Sequence, residues 1–136
     1  MEPDFVISYN DGTYRIVEIE RPNKRISTSR GQPRSEVTQA VFQLSEFRTF
    51  IEDHANVLQS DFPGIRASGC RYTLIIGRKE ISPESPFCNF ENLRAHVRGT
   101  YRADDVWVFD DLIDRARTAL DAFRGLSRFA PIDTAN

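Results

Sequence analysis

Cysteine and histidine are scarce in this chain: 136 residues hold two of each, Cys70 and Cys88, His54 and His96. Neither pair has the close spacing of a metal knuckle or a redox CxxC, and two histidines so far apart form no catalytic dyad by themselves. The cysteines therefore read as ordinary thiols. Long apolar runs are missing too. None approaches the roughly 18 residues of a membrane span, and the opening MEPDF lacks the basic start and apolar core of a leader, so a cytoplasmic protein without a membrane partner is expected. No phosphate loop, nucleophile elbow or dinucleotide fingerprint is present, which removes the commonest small-molecule enzyme classes. Low-complexity sequence is also absent. With 40% hydrophobic and 28% charged residues, the composition is that of a soluble globular domain able to bury roughly two-thirds of its unfolded surface.

Charge is unevenly placed. The net value is only −2, yet RPNKRISTSRGQPR, residues 21–34, carries Arg21, Lys24, Arg25, Arg30 and Arg34 with no acidic residue. Such a segment is either a solvated loop or a surface for phosphate backbone. Gly31 and Pro33 mark it as a loop.

Before it, FVISYNDGTYRIVEIE reads as two strands, 5–9 and 14–20, joined through Asn10, Asp11 and Gly12. After it, Val37, Val41, Leu44, Phe47, Ile51 and Leu58 recur at helical spacing, widened by Ala40, Phe50 and Ala55, with Ser35 as a candidate N-cap. RYTLIIG (71–77) is apolar enough for a central strand. ENLRAHVRG reads as a short helix ended by Gly99, DVWVFD (105–110) as a last strand, and DLIDRARTALDAF as a closing helix capped by Asp110 or Asp111. The order β-β-α-β-α-β-α predicts an α/β fold: a mixed sheet opened by an antiparallel hairpin, with the last two strands parallel, flanked by helices. We expect one domain over residues 1–124 and a tail over 125–136.

Successive strand residues alternate faces, so Glu18 and Glu20 share one, about 6 to 7 Å apart. Asp4 joins them only if the hairpin has the right parity. A three-residue loop of Asp11, Gly12 and Thr13 would set Asp4 across from Glu20 and Val6 across from Glu18, and would group Phe5, Ile7, Val17 and Ile19 on the other face. Three carboxylates on one patch repel and call for a cation. A hard divalent ion held by Asp4 and Glu18 meets that need, and with it phosphodiester hydrolysis beside the cationic loop. The alternative is that Glu18 and Glu20 line the solvent face of an edge hairpin.

PDFVI followed by VEIERP resembles the PD-(D/E)xK nuclease motif. PDFVISYNDGTYRIVEIERPNKR, QAVFQLSEFRTFIE, LIIGRKE and DVWVFDDLIDRA together, in this order from Pro3 to about Phe123, are similar to the nuclease domain of the Shedu family of anti-phage defence proteins. The resemblance implies a restriction-endonuclease-like core and a Mg²⁺- or Mn²⁺-dependent DNA endonuclease or nickase acting on phage or plasmid DNA. It implies Asp4 and Glu18 as metal ligands with the carbonyl of Ile19 as a third, and Gln43 as the glutamine such nucleases carry on the following helix. One position departs from the pattern: Glu20 stands where the family usually has lysine. There it would hold a second ion, act as general base, or mark a weakened enzyme that binds nucleic acid or oligomerises without cutting. Lys24, the nearest lysine, lies beyond Pro22. The superfamily core also starts with a helix and a strand ahead of the aspartate, of which only Met1 and Glu2 are present. We therefore expect a domain of a longer protein with a regulatory region, or one completed by a partner subunit, and an open sheet edge that favours a homo-oligomer.

Overall fold

The computed structural model describes residues 2–28, 30, 32–79, 90–101 and 103–127. Strands β1 (Phe5–Ser8) and β2 (Tyr14–Ile19) form the hairpin, and helix α1 (Ser35–Leu58) follows. Strand β3 (Cys70–Ile75), helix α2 (Phe90–Tyr101), strand β4 (Asp105–Trp107) and helix α3 (Phe109–Ser127) complete the order. The four strands make one mixed sheet in the sequence β1-β2-β3-β4. β1 is antiparallel to β2, while β2, β3 and β4 run parallel.

The hairpin keeps the expected parity but not the expected register. Phe5 pairs with Val17 and Ser8 with Tyr14, so Asp4 falls across from Glu18, two residues along from where a three-residue loop would put it. The cause is the turn. Asp11 accepts the Thr13 N–H at 2.9 Å and the Thr13 hydroxyl at 2.6 Å. The Tyr9 N–H donates to the Thr13 carbonyl at 2.9 Å, and Gly12 takes φ = 80°. Asp11 thereby builds a local Asx-type turn, which stretches the loop over residues 9–13.

The α1 side of the sheet carries the core. Tyr14, Ile16, Tyr72, Leu74 and Val106 meet Val37, Ala40, Val41, Leu44, Phe47 and Ile51 of the helix, each buried aliphatic side chain contributing about 1.5 to 3 kcal/mol. The supposed apolar set on the far face is only half real. Val17 is buried, yet Phe5 is 57% and Ile7 42% exposed. Three local readings also change. Ser35 is the first helical residue and donates to Glu36 instead of capping, and Phe50 points outward and stacks on His54. α2 passes through Gly99 to Tyr101 instead of ending there. Asp111 does serve the start of α3, its carboxylate accepting the Val108 N–H at 3.3 Å. Cys70 is a buried free thiol; Cys88 and the segment 80–89 lie outside the described residues. Among the described residues no helix is long and apolar enough to cross a membrane.

Candidate carboxylate site

Glu18 extends a row of core side chains into the end of the sheet. It pairs with Leu74, which pairs with Val106, and both of those are fully buried. A carboxylate one register step from a buried leucine is stripped of much of its water. Burial first, then the charge of Asp4, then that of Glu20, push its pKa up to about 7. Its Oε2 is buried with no hydrogen-bond partner.

Asp4 and Glu18 are interlocked. The Asp4 carboxylate accepts the Ile19 N–H at 2.7 Å, and the Asp4 N–H in turn offers the Glu18 carboxyl a mild opposing pull toward ionisation. Glu20 is half-buried, and its N–H donates to the Ile75 carbonyl at 2.8 Å, continuing the β2–β3 pairing past the strand end. Alternation along β2 brings Glu18 and Glu20 to one face, and the parity of the hairpin register brings Asp4 to the same one. Gln43 is half-buried on α1 and makes no hydrogen bond to these carboxylates among the described residues. Ile19, the expected carbonyl ligand, sits between the two glutamates with its N–H already committed to Asp4.

The donor set suits a hard divalent ion. Glu18 Oε2 is an orphaned anionic oxygen and its neighbours are like-charged, so a cation would both partner the one and relieve the others. Among the described residues no three His, Cys, Asp or Glu side chains converge as a ready-made ligand set. An ion here would rest on two carboxylates, with backbone carbonyl and water supplying the rest, which is how Mg²⁺ is commonly bound.

The cationic loop runs beside this end of the sheet and is well tied down. Ser27 and Pro33 form a bridge, Thr28 N–H donates to the Gln32 carbonyl at 2.8 Å, and Ile26 is buried at the loop's base. Gly77 (φ = 64°) lets the Lys24 carbonyl approach so closely that a Cβ there would lie 2.6 Å from it. Of the five basic residues, Arg21, Arg25 and Arg30 are exposed. Lys24 Nζ pairs with Glu36 at 3.5 Å, and Arg34 Nε donates to the Ser27 carbonyl at 3.3 Å. Two of the five therefore hold the loop, and three present charge to solvent.

Two arrangements built on arginine lie outside the residues that the sequence singles out. Arg15, the second residue of β2, is buried: it donates to Thr73 Oγ1 at 2.6 Å, to Asp105 at 2.8 Å and to the Tyr9 hydroxyl at 3.0 Å, and lies 4.8 Å from the Trp107 ring. An arginine alternating with Tyr14, Ile16 and Val17 in an apolar run was the available signal. The second is a cleft of Arg48, Arg71 and Arg98 at the opposite end of the sheet, whose members lie too far apart in sequence to announce themselves.

Comparison with curated proteins and with solved structures gives no match. The protein-family description that does match is Shedu protein SduA, C-terminal, and it covers residues 1–113, most of the chain and every element from β1 into the first turn of α3. This protein belongs to the Shedu SduA C-terminal family.

Proposed function

We propose that this domain of an anti-phage defence protein is a metal-dependent DNA endonuclease or nickase on a restriction-endonuclease-like core. The observation that carries the reading is Glu18: a partly buried carboxylate with an orphaned oxygen, opposed by Asp4 and flanked by Glu20, is costly for folding and is explained by a cation the protein must hold. Asp4 and Glu18 hold Mg²⁺ or Mn²⁺ together with the Ile19 carbonyl. When bound, such an ion polarises the scissile phosphate and makes water acidic enough to attack at neutral pH. Glu20 receives the proton of the attacking water at its carboxylate, and Gln43 orients the water from α1. Arg21, Arg25 and Arg30 receive the DNA backbone, and each phosphate contact adds about one to the salt slope of binding. The open β1 edge, with Phe5 and Ile7 exposed, supports self-association.

Glutamate at position 20 supports a second reading, a nucleic-acid-binding or oligomerising module that no longer cuts. Lys24 cannot stand in for the missing lysine while its ammonium is paired with Glu36. Supercoiled plasmid with Mg²⁺ or Mn²⁺ separates the two. Nicked circles that form only with added metal and that vanish in Glu18→Ala are the expected result. Plasmid that is retarded in a gel but intact with either metal decides for the binding module.

A further inference from the structure

Away from the carboxylates, where β3 and β4 begin, Arg48, Arg71, Arg98, Ala103, Asp104 and Asp105 line an open cleft of about 540 Å³. Its two acidic residues are already engaged. Asp105 pairs with Arg15 at 2.8 Å, and Asp104 accepts the Tyr72 N–H at 2.7 Å with Arg48 a further 3.8 Å away. Counting Arg15 behind Asp105, four guanidinium groups face two carboxylates, an excess of two positive charges in a protein whose net charge is −2. Arg71 and Arg98 are exposed and make no ion pair among the described residues. Asp11, at the hairpin tip, is within electrostatic reach of Arg71 but spends its carboxylate on Thr13. Arg48 is pre-oriented, its guanidinium lying 4.2 Å from the Tyr72 ring.

We infer that this cleft binds the phosphate group of a small molecule, inorganic or nucleotide-borne. Guanidinium forks match the paired oxygens of phosphate and stay charged at any working pH. The volume falls within the range of small-ligand sites. The cleft lies roughly 10 Å along the strands from Glu18 and at the other end of the sheet, so its occupancy is independent of the carboxylate site and of whether the domain cuts DNA.

Calorimetric titration in EDTA with inorganic pyrophosphate, with ATP and with a short duplex tests the assignment while the carboxylates hold no metal. Saturable binding of pyrophosphate or ATP is expected, weakened about tenfold or more in the double variant Arg71→Ser/Arg98→Ser and unchanged in Arg25→Ser/Arg30→Ser. ATP binding alone would mark a nucleotide as the source; pyrophosphate binding of similar strength would mark free phosphate. Both substituted arginines are exposed, so an unchanged unfolding midpoint certifies the variant. Three results overturn the proposal: no saturable binding of either small anion, loss of binding in the Arg25/Arg30 variant instead, or sensitivity to Arg71 and Arg98 confined to the duplex.

Discussion

The two ends of this sheet handle charge in opposite ways. Where β2, β3 and β4 begin, Arg15 is enclosed yet fully provided for: a carboxylate, two hydroxyls and an indole face surround it, and its pKa rises despite the burial that opposes it. Where β2 ends, Glu18 is enclosed and left wanting, with one oxygen unpartnered and two acids for company. A fold that can satisfy a buried guanidinium could have satisfied a buried carboxylate. That it does so at one end only separates structural charge from charge kept for a ligand.

The sharpest way to break this contrast is Arg15→Met. Removing a guanidinium that serves Thr73, Asp105 and Tyr9 strands a carboxylate, and we expect a loss of about 3 kcal/mol and a Tm drop of roughly 10 °C in calorimetry. The matching change at the other end should have the opposite sign. Because Glu18 titrates near 7 folded and near 4.5 unfolded, the folded state binds the extra proton. Its contribution is therefore complete below about pH 4.5 and lost as pH rises through 7. Allowing for partial solvent screening, Glu18→Gln in EDTA should be about 2 kcal/mol more stable than the parent at pH 8 and nearly equal at pH 5. Urea unfolding at both pH values reads this directly, and equal midpoints at pH 8 would remove the strained-carboxylate interpretation. Least affected is the pair outside both clusters: Lys24→Ala should cost less than about 0.5 kcal/mol, since its partner Glu36 is 3.5 Å away and both side chains are about one-third exposed.

Local chemistry made much of this legible in advance. The 3.6-residue spacing from Val37 to Ile51 yields α1, and period-two alternation put Glu18 and Glu20 on one face whatever the register. The register itself was not legible. It depends on the Asp11 carboxylate bonding to Thr13 in preference to a tighter turn, a competition between side chain and backbone that spacing does not report. Nor could the sequence say which face of the hairpin is the core. Phe5 and Ile7 are as apolar as Ile16, and only the position of α1 decides that Ile16 is covered and they are not. The arginine cleft draws on α1, β3, α2 and β4, so it exists only once the chain has folded.

β1 has four residues, pairs among the described residues with β2 alone, and hides little of its apolar surface. Asp4 lies just before it, held to β2 by the Ile19 N–H that its carboxylate accepts and by its own N–H toward the Glu18 carboxyl. Elements of this kind open well below the free energy of global unfolding. The carboxylate site is therefore present only for the fraction of time that the hairpin is zipped, and whatever binds there draws part of its affinity from holding the first strand closed.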